Sequence, residues 1–267
     1  MKRHFGKWLT AAALAVGCTV MTANAFADTD GHWAESAINK WSGEYGIIQG
    51  YDDGTFRPDK SITRGAFAGI LDRFLHFQNT SPADTFSDTA GTYWEDAILK
   101  LHASGIYLGN QGAALPSSTI TRQQAVAMIA RSFQIEGDTT TLTYADGDQV
   151  ADYARGYVAE MTRRGYITDS ANGYFRPTDP ITRAEIVSIL NNMVDVLVQS
   201  ATPYSKDTNG SLLINSSSGA TLEHMNINGD LILAPGVQGT VSLENVTIAG
   251  DVRNFSGANI TVVNGGE

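Results

Sequence analysis

The tripeptide Ile-Thr-Arg stands at 62–64, 120–122 and 181–183, so that Arg64, Arg122 and Arg183 are 58 and 61 residues apart. A unit repeated three times at near-equal spacing limits the fold more than any local propensity. Each copy must adopt the same local structure and bury its apolar face against the others. The similarity extends beyond the tripeptide. "FADTDGHWAESAI" at 26–38 matches "FSDTAGTYWEDAI" at 86–98, and "YADGDQVADYARGYV" at 144–158 is a weaker third copy. Each opens on an aromatic followed two residues later by Asp28, Asp88 or Asp146. Each continues through a helical stretch to a glycine and a bulky residue: Gly46-Ile47, Gly105-Ile106 and Gly165-Tyr166.

Every unit reads as helix, loop, helix. After Ile-Thr-Arg, apolar residues recur at helical spacing: Phe67, Ile70, Leu71 and Phe74; Val126, Ile129 and Phe133; Ile186, Ile189, Leu190, Met193 and Leu197. Thr-x-x-Glu at 182–185 is a capping box, Thr-x-x-Gln at 121–124 is its Gln form, and Ala66 leaves the first copy with half a box. The threonine is therefore expected as N-cap and the arginine as first helical residue, a cap worth about 1 kcal/mol.

From about Lys206 helical spacing stops and Gly, Asn, Ser and Thr become frequent. "LEHMNINGDL" at 222–231 aligns without a gap on "LENVTIAGDV" at 243–252, an offset of 21 residues. Met225, Val246, Ile227 and Ile248 alternate with polar residues, as half-buried strands do. Short strands at this period with Gly-Asp corners suggest a parallel β-solenoid of about two and a half coils, with a small antiparallel sandwich as the alternative. The expected fold is thus α+β: a mostly α bundle of three repeats followed by a short β-rich, solenoid-like segment. The divisions are 1–25 leader, 26–82, 83–140 and 141–200 repeats, and 201–267 β-rich segment.

The leader reads as a secretory signal peptide, with Lys2, Arg3 and Lys7 before an apolar stretch over 8–21 and small residues after it. Cleavage after Ala25 or after Ala27 both satisfy the small-residue rule; cutting after Ala25 keeps Phe26, the counterpart of Phe86 and Tyr144. The lone cysteine, Cys18, lies in that apolar stretch within "AVGC", which faintly resembles a lipidation box. No second apolar run approaches the roughly 18 residues a membrane span needs. The formal charge of −10, which becomes about −13 once the leader's basic residues go, argues against a general nucleic-acid binder.

The first 200 residues resemble three consecutive S-layer homology (SLH) repeats. The residues carrying the resemblance are "FADTDGHWAESAI", "GIIQGYDDGTFRPDKSITRGAF", "FSDTAGTYWEDAILKLHASGI", "ITRQQAV" and "GYFRPTDPITRAEIV". It implies a pseudo-threefold prism and non-covalent attachment to a secondary cell-wall polysaccharide, often one bearing a ketal-linked pyruvate. In that family the Arg of Thr-Arg-Ala-Glu is the principal binding residue, which maps to Arg64, Arg122 and Arg183. Groove aromatics and the acid near the repeat start map to Trp33 and Trp94, and to Asp28, Asp88 and Asp146. The second repeat departs from the pattern: "GNQGAALPSSTITR" lacks the Tyr-Asp-x-Gly-Thr-Phe loop.

Residue chemistry supports the arginines separately. A helix N-terminus with unsatisfied N–H groups favours an anion, and guanidinium at that point adds a planar fork for a carboxylate. An arginine at a helix start can also simply pair with a nearby acid. Trp33 and Trp94 are repeat-start aromatics, for which a core or interface anchor is a commoner role than a sugar platform. "DTDG" at 28–31 and "DGD" at 146–148 lack the full calcium loop, the histidines show no ligand spacing, and Asp52 and Asp53 read as a turn; no metal or cofactor is expected. The expected protein is a non-enzymatic, secreted cell-wall or S-layer protein. Its β-rich tail would form a spacer or a surface for self-association or a protein partner. The rival is a carbohydrate-active enzyme whose solenoid is catalytic and whose repeats deliver it; a self-assembling lattice protein is the third reading.

Overall fold

The structure, a computed structural model, describes residues 26–138, 141–168 and 172–263. The apolar leader with Cys18 lies outside them. Each repeat folds as the periodicity predicts. The first helices are α1 (Glu35–Ile38), continued by a π-helix (Asn39–Glu44), then α3 (Glu95–Ala103) and α5 (Asp152–Arg163). The second helices are α2 (Arg64–Leu75), α4 (Arg122–Ser132) and α6 (Arg183–Met193), each starting on its arginine after an N-cap threonine.

The π-helix has a local cause. Aligning Trp41, Leu101 and Met161 puts Gly46 five residues on, but Gly105 and Gly165 only four. The same closing hydrogen bond is made in all three repeats: Ile47 N–H to Trp41 O at 2.8 Å, Ile106 N–H to Leu101 O at 2.9 Å and Tyr166 N–H to Met161 O at 2.9 Å. Repeat 1 therefore absorbs one extra residue by widening its last turn, the usual role of a π-bulge. Each helix then ends on a glycine at φ +65 to +72°, the left-handed C-cap that side chains avoid.

The three second helices pack on the first helices of the following repeats: α2 on α3, α4 on α5, and α6 back on α1. The Ile-Thr strands preceding them hydrogen-bond in a closed cycle. Ile62 N–H donates to Ile181 O at 3.3 Å, Ile181 to Ile120 at 3.1 Å and Ile120 to Ile62 at 3.1 Å. All three isoleucines are buried, so each copy of the tripeptide contributes a core anchor, a helix cap and a guanidinium.

The β-rich part is a parallel solenoid of about four turns. Strands β1 (Val196–Val198), β2 (Leu212–Ile214), β4 (Leu231–Leu233) and β6 (Val252–Asn254) stack into one sheet; β3 (Ala220–Ile227), β5 (Thr240–Ile248) and β7 (Asn259–Val263) form another. Every ladder is parallel, which excludes the antiparallel sandwich, and Leu222 pairs with Leu243 and Ile227 with Ile248, the 21-residue offset. Two expectations fail. Leu197, placed in the helical stripe, lies in β1 because α6 stops at Met193. The coils therefore begin before Lys206 and exceed two and a half.

The solenoid continues the helical core. Strands β2 and β4 are buried at every position and read as unbroken apolar runs, as parallel strands covered on both faces do. Asn215 Nδ2 donates to Phe74 O at 3.1 Å and Arg253 Nη2 to Phe133 O at 2.5 Å, so coil residues satisfy carbonyls at the ends of α2 and α4. Gly236 sits against the backbone of His76, where a Cβ would clash.

Candidate functional site: three grooves between repeats

Each arginine reaches out of its own repeat into the loop of the next. Arg183 Nε donates to Phe56 O at 2.8 Å and its Nη2 to Gln49 O at 2.6 Å. Arg64 Nε donates to Ala114 O at 2.9 Å, an oxygen that Tyr107 Oη also reaches at 2.7 Å. Arg122 Nη2 donates to Thr168 O at 3.2 Å and its Nη1 lies 3.4 Å from Glu185 Oε1. Arg122 and Arg183 are buried, Arg64 half-buried. Burial pushes the Arg122 and Arg183 guanidinium pKa values down, yet arginine stays charged in proteins.

The helix starts themselves are already occupied, contrary to the sequence expectation. The N–H groups of Arg64, Arg122 and Arg183 bond Ser118, Asp179 and Lys60 carbonyls at 2.8–3.1 Å. The following residues, Gly65, Gln123 and Ala184, bond Pro116, Pro177 and Pro58 at 2.9–3.0 Å. Thr63 Oγ1 takes the Ala66 N–H and Thr182 Oγ1 the Glu185 N–H. What remains for a ligand is guanidinium.

Asp28, Asp88 and Asp146 hold the loops that receive the arginines. Asp28 accepts the N–H groups of Phe56 and Arg57 at 2.7 and 2.6 Å. Asp88 takes those of Ala114 and Leu115 at 2.7 and 2.8 Å, and Asp146 those of Phe175 and Arg176 at 2.8 Å. Arg57, Leu115 and Arg176 have φ of 55, 58 and 61° and each precedes a proline, a position that disfavours such geometry. Strain of this kind costs about 1–3 kcal/mol and persists only where neighbours enforce it. Here the carboxylate does so, and it aims the preceding carbonyl at the arginine in two of the three cases. Burial alone would raise the Asp28 pKa, but the two backbone donors outweigh it and hold the carboxyl below its usual range.

The equivalent surface aromatic in each repeat is Trp33, Tyr93 and Tyr153, exposed by 63%, 82% and 48%. Aligning Phe26 with Phe86 pairs Trp33 with Tyr93, one position before Trp94. Trp94 instead lies flat on α2, so close that a Cβ at Gly65 or Gly69 would strike its ring, and stacks edge-on against Tyr93 at 4.5 Å.

Three grooves result, each built from three repeats. The first, about 220 Å³, brings Arg183 of repeat 3 together with Tyr51 and Arg73 of repeat 1 and with Tyr93 and Trp94 of repeat 2. The second, about 430 Å³, joins Arg64 to Gln124 and Arg131 and to Tyr153. The third, about 470 Å³, joins Arg122 to Arg176 and Glu185 and to Trp33. Arg73 and Arg131 occupy the same helical position, which in the third groove is Asn192. The sequence reading missed Arg73, Arg131 and Tyr93; counting nine residues on from each Ile-Thr-Arg arginine finds the first two.

Among the described residues no three His, Cys, Asp or Glu side chains cluster as a metal site, and no helix is long and apolar enough to cross a membrane.

The S-layer homology domain family matches residues 25–68 and 143–187. Among curated proteins, the chain is 27% identical over 64% of its length to an amylopullulanase of Thermoanaerobacterium thermosulfurigenes, covering 9% of that protein. It is 28% identical over 56% of its length to the surface-layer 125 kDa protein of Lysinibacillus sphaericus, covering 13%. It is 38% identical over 39% of its length to the cellulosome-anchoring protein of Acetivibrio thermocellus, covering 25%. The chain thus spans a quarter or less of these relatives.

Proposed function

We propose that this chain is a non-enzymatic anchor of the cell envelope, and that its grooves bind an anionic, pyruvate-ketal-bearing secondary wall polysaccharide. In this reading 83–140 is a third SLH repeat beside the two matched segments, and the closed Ile62–Ile120–Ile181 cycle is the axis of a pseudo-threefold bundle. The protein is exported and stays at the envelope by holding polymer. Surface-layer and cellulosome-anchoring relatives support that location.

The observation that carries the reading is the cyclic recurrence of one constellation. A guanidinium fixed by a carbonyl of the next repeat stands at each junction with an exposed aromatic from the remaining repeat. Guanidinium with free Nη donors suits a carboxylate, and an aromatic face suits the apolar face of a sugar ring. Several modest sites on one polymer gain by effective concentration. The solenoid, fused to the helical core, serves as spacer and contact surface.

Sedimentation with purified walls, before and after mild acid removes the pyruvate ketals, tests the ligand class. Loss of binding after removal is expected; full retention overturns the pyruvate assignment. Release of reducing ends from wall polysaccharide by the mature protein would instead favour the enzymatic reading.

A further inference from the structure

We propose that only two of the three grooves take an anionic ligand, because Glu185 already fills the third from within; this rests on the anion-binding reading above. The grooves share a framework, so their side chains can be compared position by position. The third residue of the helix is Ala66 in the first groove, Gln124 in the second and Glu185 in the third. Among the described residues lining them, the first two grooves each hold two arginines and no acid: Arg183 with Arg73, and Arg64 with Arg131.

In the third, the Glu185 carboxylate stands between two guanidiniums. Its Oε1 lies 3.4 Å from Arg122 Nη1 and bonds Arg176 Nη2, while Oε2 accepts the Thr182 N–H at 2.9 Å. Glu185 is 12% exposed at its side chain, so the pair is shielded from screening and a ligand carboxylate must displace it or meet its repulsion. Asp28, Asp88 and Asp146 do not line the grooves, and each is engaged by two backbone donors. The first two grooves therefore offer two uncompensated guanidiniums, whereas in the third the Glu185 carboxylate offsets one of two and occupies the place between them.

The first groove differs in a second way. Arg73 Nε is tied to Ile47 O at 2.8 Å and faces Arg183, whose pKa burial depresses and Arg57 and Arg73 depress further. Two buried-side guanidiniums without a counter-charge between them favour one bridging carboxylate. The edge-on Tyr93–Trp94 pair flanks that position. The carboxylate of a pyruvate ketal fits it, with the sugar over the aromatic pair.

The test follows the arginine side-chain Nε–Hε resonances of the mature protein by NMR while a pyruvate-ketal methyl glycoside is added. Arg183 and Arg64 are expected to shift and Arg122 to stay still. Glu185→Gln keeps an oxygen for the Thr182 cap, as Gln124 does for Thr121 N–H at 3.2 Å in repeat 2, and is expected to make Arg122 responsive. Gln124→Glu is expected to silence Arg64 with Arg183 unaffected. Arg122 shifting in the unmodified protein as strongly as Arg183 overturns the inference, as does an Arg122 that stays silent in folded Glu185→Gln. No arginine shift in a protein that still sediments with walls overturns it while leaving wall attachment intact. Failure to sediment with walls at all overturns the anchor reading instead.

Discussion

The helical repeats and the β coils both arise from repetition, but one closes and the other does not. Around the ring, repeat 3 returns to repeat 1 through α6 on α1, Ile62 on Ile181 and Arg183 on Phe56. Every junction repeats one framework with its own side chains, and a groove exists only when all three repeats are present. Along the stack, each coil meets its predecessor and successor, and the last, β6 with β7, has no further strand partner among the described residues. Val252, Val262 and Val263 are exposed there. Closure should make the ring fold as one cooperative unit. The open stack should show graded, local stability, as one-dimensional repeats do.

Substitutions can break this contrast. The largest effect is expected at the axis. Ile120→Ala removes a fully buried side chain from the closed cycle and should cost about 2–5 kcal/mol in chemical denaturation; a cost under about 1 kcal/mol would mean the ring does not fold as a unit. Next comes Arg183→Ala, which strips the donor from the buried Phe56 carbonyl and one from the part-buried Gln49 carbonyl, at roughly 2–3 kcal/mol. Arg64→Ala should cost clearly less, about 1 kcal/mol, because Ala114 O keeps Tyr107 Oη. Equal losses would refute the carbonyl account.

A smaller effect belongs to Asp28. Its folded-state pKa is depressed, so its stabilisation is present above the ordinary value of 3.8 and is lost as pH falls through the lower folded value. Asp28→Asn should therefore flatten the acid side of a melting-temperature profile below about pH 4; an unchanged slope would remove the loop-clamp role. The smallest change is expected at the free end of the stack. Val262→Ala, at an exposed position, should stay within about 0.5 kcal/mol.

Much of this was legible in the chain. The 21-residue offset is the strand register, and Thr-Arg marks each N-cap and helix start because capping is a local rule. That the repeated arginines and acids would occupy equivalent places was legible, but their partners at the junctions were not. Which loop carbonyl Arg183 meets depends on repeat 3 closing onto repeat 1, a contact 127 residues apart. The free helix N–H groups expected from one repeat are consumed by its neighbour's Pro and polar loop carbonyls, again a junction property. Trp94 drew attention by its residue type, whereas alignment points to Tyr93. The extra residue before Gly46 was countable, but its outcome, a π turn, follows from the need to keep Ile47 bonded to Trp41.

The arginines hold the loop carbonyls and, in the proposed function, also meet the ligand, which shapes the decisive measurement. Changing Arg64, Arg122 and Arg183 together to Gln retains an amide donor for the loop carbonyls while removing the charge. The variant's folding is checked by circular dichroism, and its sedimentation with purified cell walls is compared with the unmodified protein. The account predicts a folded protein that stays in the supernatant; a folded variant that still pellets with the walls would contradict it.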